Sequence, residues 1–580
     1  MSRSEALRRL VVRGVARCAV GLALGLVTFS NSLWAASWTW NGGGGDDKWS
    51  TTANWVEGTA PSSATTSLLT FGGGTRLTPD QDIAHPFSFN TMVLSNNAGA
   101  FVLGGWTNVN GQSALRSYSW GGTTPLIQCD SANNIVIKGC IRAPSGTSTV
   151  KVNGTGRLQI PWITGANGYT VVKEGPGTLT ILEDADGQYY NEGQSNVGPI
   201  YNVKDGVLEV GSRTSRYYVN GTNWSSAAQN KMGYGLTIGD GVGAATSAVV
   251  RSVGNGGFCM NPATPITINA DGLLDLNNVA GPDIYGTMSN AGVVKLRSLS
   301  NAIYFRDGSA LTLVGDAVID GTASDGLWLY DGMTIRVDDT RTRATILAPS
   351  RGGLGDVDGP TCYVSNKPND SVSLEIQGTM GAFSRGGALK KYGPGTLAIS
   401  NYNYNGVAQT VYEGALAING VANGTAGSAW VANTNGTLGG WGVITGSFVT
   451  VNSGTINPGI SNRVGVLTVW SNVTFNGAAK LVIDVVGGGS TPGVDFDQLL
   501  VKKDVTGLAN VALTVNIIGS PKFSGASMTI LDAGNSLAGA TFNSTTLVNG
   551  GRNTLTVDTS GADVVIRLKP PPEGTMVLFK

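Results

Sequence analysis

The sequence predicts an all-β protein wound as a parallel β-solenoid, and two observations carry that prediction. The stretch Leu389–Gly420 holds two short runs, Gly395-Thr396-Leu397-Ala398-Ile399 and Gly414-Ala415-Leu416-Ala417-Ile418, each opened by glycine with apolar residues at every second position. Such alternation marks half-buried strands entered through tight turns. Leu397 and Leu416 hold equivalent places 19 residues apart. That is close to the chain length of one solenoid coil, and a single coil cannot bury its apolar face without neighbours stacked on it. Composition is the second observation: 85 glycines, 13% charged residues, and 38 acids against 38 bases. Balanced charge without a basic tract beyond the N-terminus argues against nucleic acid or an anionic membrane surface as partner. Ordinary apolar content and recurring alternation argue against disorder.

Residues 1–35 have the layout of a secretory signal peptide. Arg3, Arg8, Arg9, Arg13 and Arg17 stand against one acid, Glu5, ahead of the apolar run Cys18 to Leu33, with small residues at Ala35 and Ala36. Cleavage is expected after Ala35. The run is short for a membrane span and interrupted by Thr28, Ser30, Asn31 and Ser32, and no later segment approaches the roughly 20 apolar residues of a membrane helix. Export places Cys129, Cys140, Cys259 and Cys362 in an oxidising compartment, where Cys129 and Cys140 are close enough in sequence to bridge neighbouring strands. Cys259 and Cys362 are expected as buried free thiols.

Residues 36–74 form a tryptophan-rich opening segment with Trp38, Trp40, Trp49 and Trp55. Two readings apply: a sugar-stacking surface, because aromatic faces suit the apolar faces of sugars, or an aromatic cap over the open strand edge at the end of a solenoid. Beyond it, residues 75–569 are expected to form a continuous β-helix. Strands are predicted at Thr91–Leu94, Ala100–Leu103, Asn134–Ile137, Thr149–Val152 and Arg157–Ile160. From Ile266 onward the apolar pairs Ile266/Ile268, Leu274/Leu276, Val294/Leu296, Leu311/Leu313, Leu327/Leu329 and Ile335/Val337 recur, giving about one coil per 20 residues with two or three strands each. Roughly 20 coils make a rod on the order of 100 Å long.

The run at Leu389–Gly420 has an earlier counterpart. Lys173-Glu174-Gly175-Pro176-Gly177-Thr178-Leu179-Thr180-Ile181 answers Lys391-Tyr392-Gly393-Pro394-Gly395-Thr396-Leu397-Ala398-Ile399, and Asp205-Gly206-Val207-Leu208-Glu209-Val210 answers Glu413-Gly414-Ala415-Leu416-Ala417-Ile418. The earlier pair is more widely spaced, with the extra residues in the polar segment Asp184 to Gly198, a surface-loop insertion. These strings resemble the autotransporter-associated β-strand repeat of bacterial surface-protein passengers. The opening order Trp40, Trp49, Asn54-Trp55, Pro61, Phe71 and the later strings Leu438-Gly439-Gly440-Trp441-Gly442, Thr455-Ile456-Asn457-Pro458-Gly459, Gly465-Val466-Leu467-Thr468-Val469 and Asp495-Phe496-Asp497-Gln498-Leu499 also resemble that class. The resemblance implies a right-handed parallel β-helix with an N-terminal aromatic cap, exported to the outside of a bacterial cell envelope. It stops short of the membrane β-barrel that completes an autotransporter, because too little chain follows Gly459. A separate exporter or anchor is therefore expected. Residues 570–580, Pro570-Pro571-Pro572 and the tail Glu573 to Lys580, read as a last capping strand or as a recognition signal.

No catalytic, cofactor-binding or metal-binding residues are assigned. A β-helix enzyme acting on polysaccharide needs carboxylates converging from adjacent coils. The best segment for that holds Asp316, Asp320, Asp325, Asp331, Asp338 and Asp339 with Arg336, Arg341 and Arg343, where the 22-residue spacing of Asp316 and Asp338 allows one to stack on the other. Aspartate beside glycine is also an ordinary turn residue. His85 is the single histidine and lacks a nucleophile elbow, which disfavours a serine triad and a Cys/His zinc site. Gly352-Gly353-Leu354-Gly355-Asp356 approaches a calcium-binding nonapeptide, but Val357 stands at the ligand position and the motif does not repeat. The expected function is structural or adhesive, toward extracellular polysaccharide or cell-surface components. A polysaccharide lyase or glycosidase on the same scaffold is the alternative.

Overall fold

The computed structural model describes residues 36–571, apart from 85–86, 105–114, 118–125, 140, 144–145, 165–167, 183–198, 213–234, 255–263, 277–282, 297–302, 322–325, 331, 339–342, 349, 353–360, 365–371, 381–387, 405–407, 426–427 and 461. The expected signal peptide, the loop from Asp184 to Gly198, His85, Cys140, Cys259 and the tail from Pro572 onward lie outside the described residues.

The chain is a parallel β-helix whose coils have three faces. One coil is Ala310–Val314, Val318–Gly321 and Leu327–Leu329, and the next is Thr334–Asp338, Ala344–Ile346 and Ser350–Gly352. Each strand pairs in parallel with its counterpart one coil on: Leu311 with Ile335, Leu313 with Val337, Ile319 with Ile346. Inward residues therefore stack on inward residues, and each apolar pair named from the sequence is buried. The two leucines of each repeat are direct neighbours, Leu179 on Leu208 and Leu397 on Leu416. Each such side chain contributes about 1.5–3 kcal/mol on burial, so the core is a column that lengthens coil by coil.

The opening segment is both first rung and cap. Ser37–Trp40 pairs in parallel with Leu68–Phe71, which pairs with Thr91–Leu94. The outer edge of that first strand is covered by the chain that returns past it. Val56 N–H donates to the Thr39 carbonyl, Asn41 N–H to the Asn54 carbonyl, and Thr39 N–H to Glu57 Oε2. Trp40, Trp49 and Trp55 are buried beneath this return in edge-to-face contact, Trp40 with Trp55 at 5.2 Å and Trp49 with Phe87 at 5.2 Å. Rings enclosed this way present no face to a sugar, so the cap reading holds for them.

The far end differs from the parallel run expected through residue 569. Ser527–Ala533 pairs antiparallel with Val564–Lys569, which pairs antiparallel with Thr554–Asp558. The third face thus ends in a hairpin in place of a further parallel coil, with Thr554–Asp558 as its outermost strand. Cys129 also departs from expectation: its thiol is free and buried, stacked between Leu94 and Val152, so the disulfide to Cys140 is not made. An inward position in the core is where a small apolar side chain belongs.

Candidate functional site

The described acids and bases of the segment from Asp316 to Arg343 do not converge. Asp338 stands in register with Val314 and not with Asp316, because the strand Ala310–Val314 ends before the turn that carries Asp316. Asp320 faces outward from the second face, Arg336 from the first, and Arg343 pairs with Glu375 at 2.9 Å. Asp325, Asp331, Asp339, Arg341 and the Gly353–Val357 stretch lie outside the described residues. Among the described residues no group of three His, Cys, Asp or Glu side chains is placed to hold a metal ion, and no helix is long and apolar enough to cross a membrane.

Charged side chains do converge on the second face, at positions the sequence reading passed over. One outward column holds Gln159, Thr180, Glu209, Arg251, Asp275, Lys295 and Asp320 in successive coils, and from Glu209 the sign of charge alternates. Arg157 reaches Glu209 at 3.1 Å, and Arg251 lies between Glu209 at 3.8 Å and Asp275 at 3.4 Å. Thr180 Oγ1 donates to Glu209 at 2.9 Å. The carboxylates of Glu209 and Asp275 are 5% and 6% exposed, covered by the guanidinium groups that neutralise them. A general acid or base must reach a substrate proton, and these groups reach each other. The column works as an axial bolt between coils. Its sequence signal is a charged residue flanked by two inward ones once per coil, as in Leu208-Glu209-Val210 and Leu274-Asp275-Leu276.

A second column, on the first face, is aromatic. The Arg336 guanidinium lies 4.7 Å over the Tyr363 ring, and Tyr363, Tyr392 and Tyr412 follow with centroids 5.3 and 4.6 Å apart and planes nearly parallel. Burial, with the neighbouring phenols, holds the Tyr392 hydroxyl above its ordinary pKa. The ring faces of Tyr363, Tyr392 and Tyr412 cover one another along the axis. Among the described residues the tryptophans most open to solvent are elsewhere: Trp470, 58% exposed, and Trp441, over which Arg463 lies at 4.8 Å.

The two Gly-Pro-Gly-Thr-Leu segments share a third arrangement. Lys173 and Lys391, two residues ahead of each Gly-Pro-Gly, point into the core, Lys173 between Val150 and Val203 and Lys391 between Cys362 and Val411. Lys173 Nζ donates to the carbonyls of Gly175 and, one coil on, Asp205, at 2.6 and 2.8 Å. Lys391 Nζ donates to those of Tyr392, Gly393 and, one coil on, Glu413, at 2.9, 2.6 and 2.9 Å. Gly206 and Gly414 open the next strand at φ +67° and +68°. A Cβ at Gly206 would collide with the carbonyl oxygens of Gly175 and Gly177, and one at Gly414 with those of Gly393 and Gly395. Burial pushes both lysines down to about 8, opposed by Asp205 and Glu174 around Lys173 and by Cys362 and Glu413 around Lys391.

These features define the chain as a parallel β-helix carrying two surface columns and two internal lysine clamps. No protein-family model matches it, and a comparison with curated proteins finds no match.

Proposed function

We propose that the protein is an exported structural or adhesive rod of the autotransporter-associated repeat class, acting at the cell surface or outside the cell, with attachment or export supplied by a separate component. The observation that carries this reading is the closed state of the charged column. The described residues that come together as an active site would, Arg157, Glu209, Arg251 and Asp275, are bound to one another. The repeat residues support it too, because lysine, glycine and leucine of each copy serve the joint between coils. A rod held by ladders and clamps tolerates loop insertions without losing its core, which suits display of loops toward polysaccharide or surface partners.

The test is a glycan-array and polysaccharide-degradation screen on residues 36–580, beside the variants Asp275→Asn and Trp470→Ala. Binding without turnover, lost in Trp470→Ala, supports an adhesive surface. Reducing ends or unsaturated products that Asp275→Asn abolishes would replace this reading with a carbohydrate-active enzyme. For export, N-terminal sequencing of protein recovered outside the cytoplasm is expected to begin at Ala36.

A further inference from the structure

The third face of the later coils carries an apolar surface. One outward column runs Asn401, Val421, Val443, Thr468, Leu500 and Asp532 in successive rungs. The column beside it runs Asn403, Asn423 and Thr445, and continues through Trp470 and Lys502, whose N–H groups donate to the Ile444 and Val469 carbonyls of the preceding rungs. On the other side Trp441 and Val466 stand two residues ahead of Val443 and Thr468. Val421 and Trp441 are each 39% exposed and Trp470 58%, while Val443, Val466 and Leu500 are half-buried. Apolar side chains at outward positions add nothing to the coil's own core, and six of them side by side mark a surface that meets another. Polar rungs bound it at both ends, Asn401 at one and Asp532 at the other.

We propose that a second copy of this chain occupies this face, packed sheet on sheet with its rod antiparallel. The order of residues points to this partner because it is self-complementary about a two-fold axis lying in the interface, across the rod and between the rungs of Val443 and Thr468. That operation sets Val443 on the partner's Thr468, Val421 on the partner's Leu500 and Trp441 on the partner's Val466. Trp470 covers the partner's Thr445. At the margins Asn423 meets the partner's Lys502 and Asn401 the partner's Asp532, so apolar meets apolar and charge meets amide. A two-fold along the rod would instead set Asp532 on Asp532, and like charges in contact oppose association. Val421, Val443, Val466 and Leu500 offer a glycan no hydrogen bond, whereas they suit the outward face of another sheet. Six rungs about 4.8 Å apart and three columns wide give roughly 500 Å² on each copy and about 1,000 Å² in all, the size of a weak, reversible interface. Dimer formation on this scale is independent of glycan binding, which dilute monomer reports.

The test is sedimentation equilibrium of residues 36–580, which hold the whole described β-helix, from about 1 to about 200 µM. A reversible monomer–dimer equilibrium is expected within that range, and a monomer mass throughout would overturn the proposal. Val421→Lys and Leu500→Glu alone are each expected to weaken the dimer at least about tenfold, whereas the two together, facing each other across the interface, return it to within about threefold of the native chain. Val242→Lys, at an exposed apolar residue away from this face, leaves it unchanged. Within one chain residues 421 and 500 stand three rungs apart, on the order of 14 Å, which gives a second readout. In the Val421→Cys, Leu500→Cys double variant, a bismaleimide too short for that span is expected to link residue 421 of one copy to residue 500 of the other, found by peptide mapping of the dimer. Dimers linked 421 to 421, or an association that neither Val421→Lys nor Leu500→Glu weakens, would overturn the antiparallel pairing on this face.

Discussion

Lys391 donates from its ammonium to the carbonyl oxygen of Glu413 in the following coil at 2.9 Å, and Lys173 makes the equivalent bond to Asp205 at 2.8 Å. A cation in the core of a solenoid is expensive to desolvate unless its donors are used, and here carbonyls at two stacked corners use them. The repeat's lysine, its Gly-Pro-Gly turn and the acid-glycine pair of the next coil are parts of one joint.

Replacing Lys391 by Met keeps the volume and strips the corner carbonyls of their donor. The expected loss is about 3 kcal/mol in denaturant unfolding, against less than about 0.5 kcal/mol for Lys480→Met at an exposed outward strand position. Equal effects of the two substitutions would show that the clamp contributes nothing.

The clamps also set a pH dependence. Their folded pKa, about 8, lies below the ordinary value of 10.5, so between those values the unfolded chain binds more protons than the folded one and stability rises with pH. Below about pH 8 both states are protonated and the contribution is flat. Buried Cys129 and Cys362, pushed up to about 11 and 12, act in the opposite direction above their ordinary 9.0. The measurement is therefore a difference: urea midpoints from pH 7 to 10 for the native chain minus those for a Lys173→Met, Lys391→Met double variant. The difference is expected to climb above pH 8, and a flat line would contradict it.

Arg251→Ala leaves the nearly buried carboxylates of Glu209 and Asp275 facing each other along the column. Because Arg251 is itself 38% exposed, the expected cost is about 2 kcal/mol, below that of breaking a fully buried pair. Lys204→Ala, which removes the exposed partner of Glu174, is expected to cost under about 1 kcal/mol. A double-mutant cycle on Arg251 and Glu209 reports the coupling directly.

Gly414→Ala places a Cβ against the carbonyls of Gly393 and Gly395 at a positive φ, and is expected to cost about 3 kcal/mol. Gly519 has φ +75° with nothing near its Cβ position, so Gly519→Ala isolates the backbone term at about 1 kcal/mol. Similar losses at the two sites would mean that the close stacking of corners is not what demands glycine at 414.

Trp49→Ala opens the cap and is expected to cost about 3–5 kcal/mol, whereas Trp470→Ala, at a ring mostly in solvent, is expected within about 0.5 kcal/mol of the native chain. Thermal unfolding of the two variants separates a structural aromatic from one free to bind.

The sequence by itself determined the solenoid, because inward and outward residues must alternate wherever a strand is half-buried. That rule made Leu311/Leu313 and Ile335/Val337 legible as stacked pairs before any register was known. It also located the equivalent leucines, Leu397 and Leu416, which are direct neighbours. What only the tertiary structure decided is which outward residues meet, since those contacts are set by coil length. Glu209, Arg251 and Asp275 lie on adjacent rungs although 42 residues of chain separate the first two and 24 the last two. Asp316 and Asp338, whose spacing looked favourable, miss each other because two residues of difference in coil length move one of them past a corner. The lysine clamps were visible as letters of a repeat, but their inward direction was not. A charged residue reads as surface until the carbonyls that receive it are in place, and those carbonyls belong to the next coil.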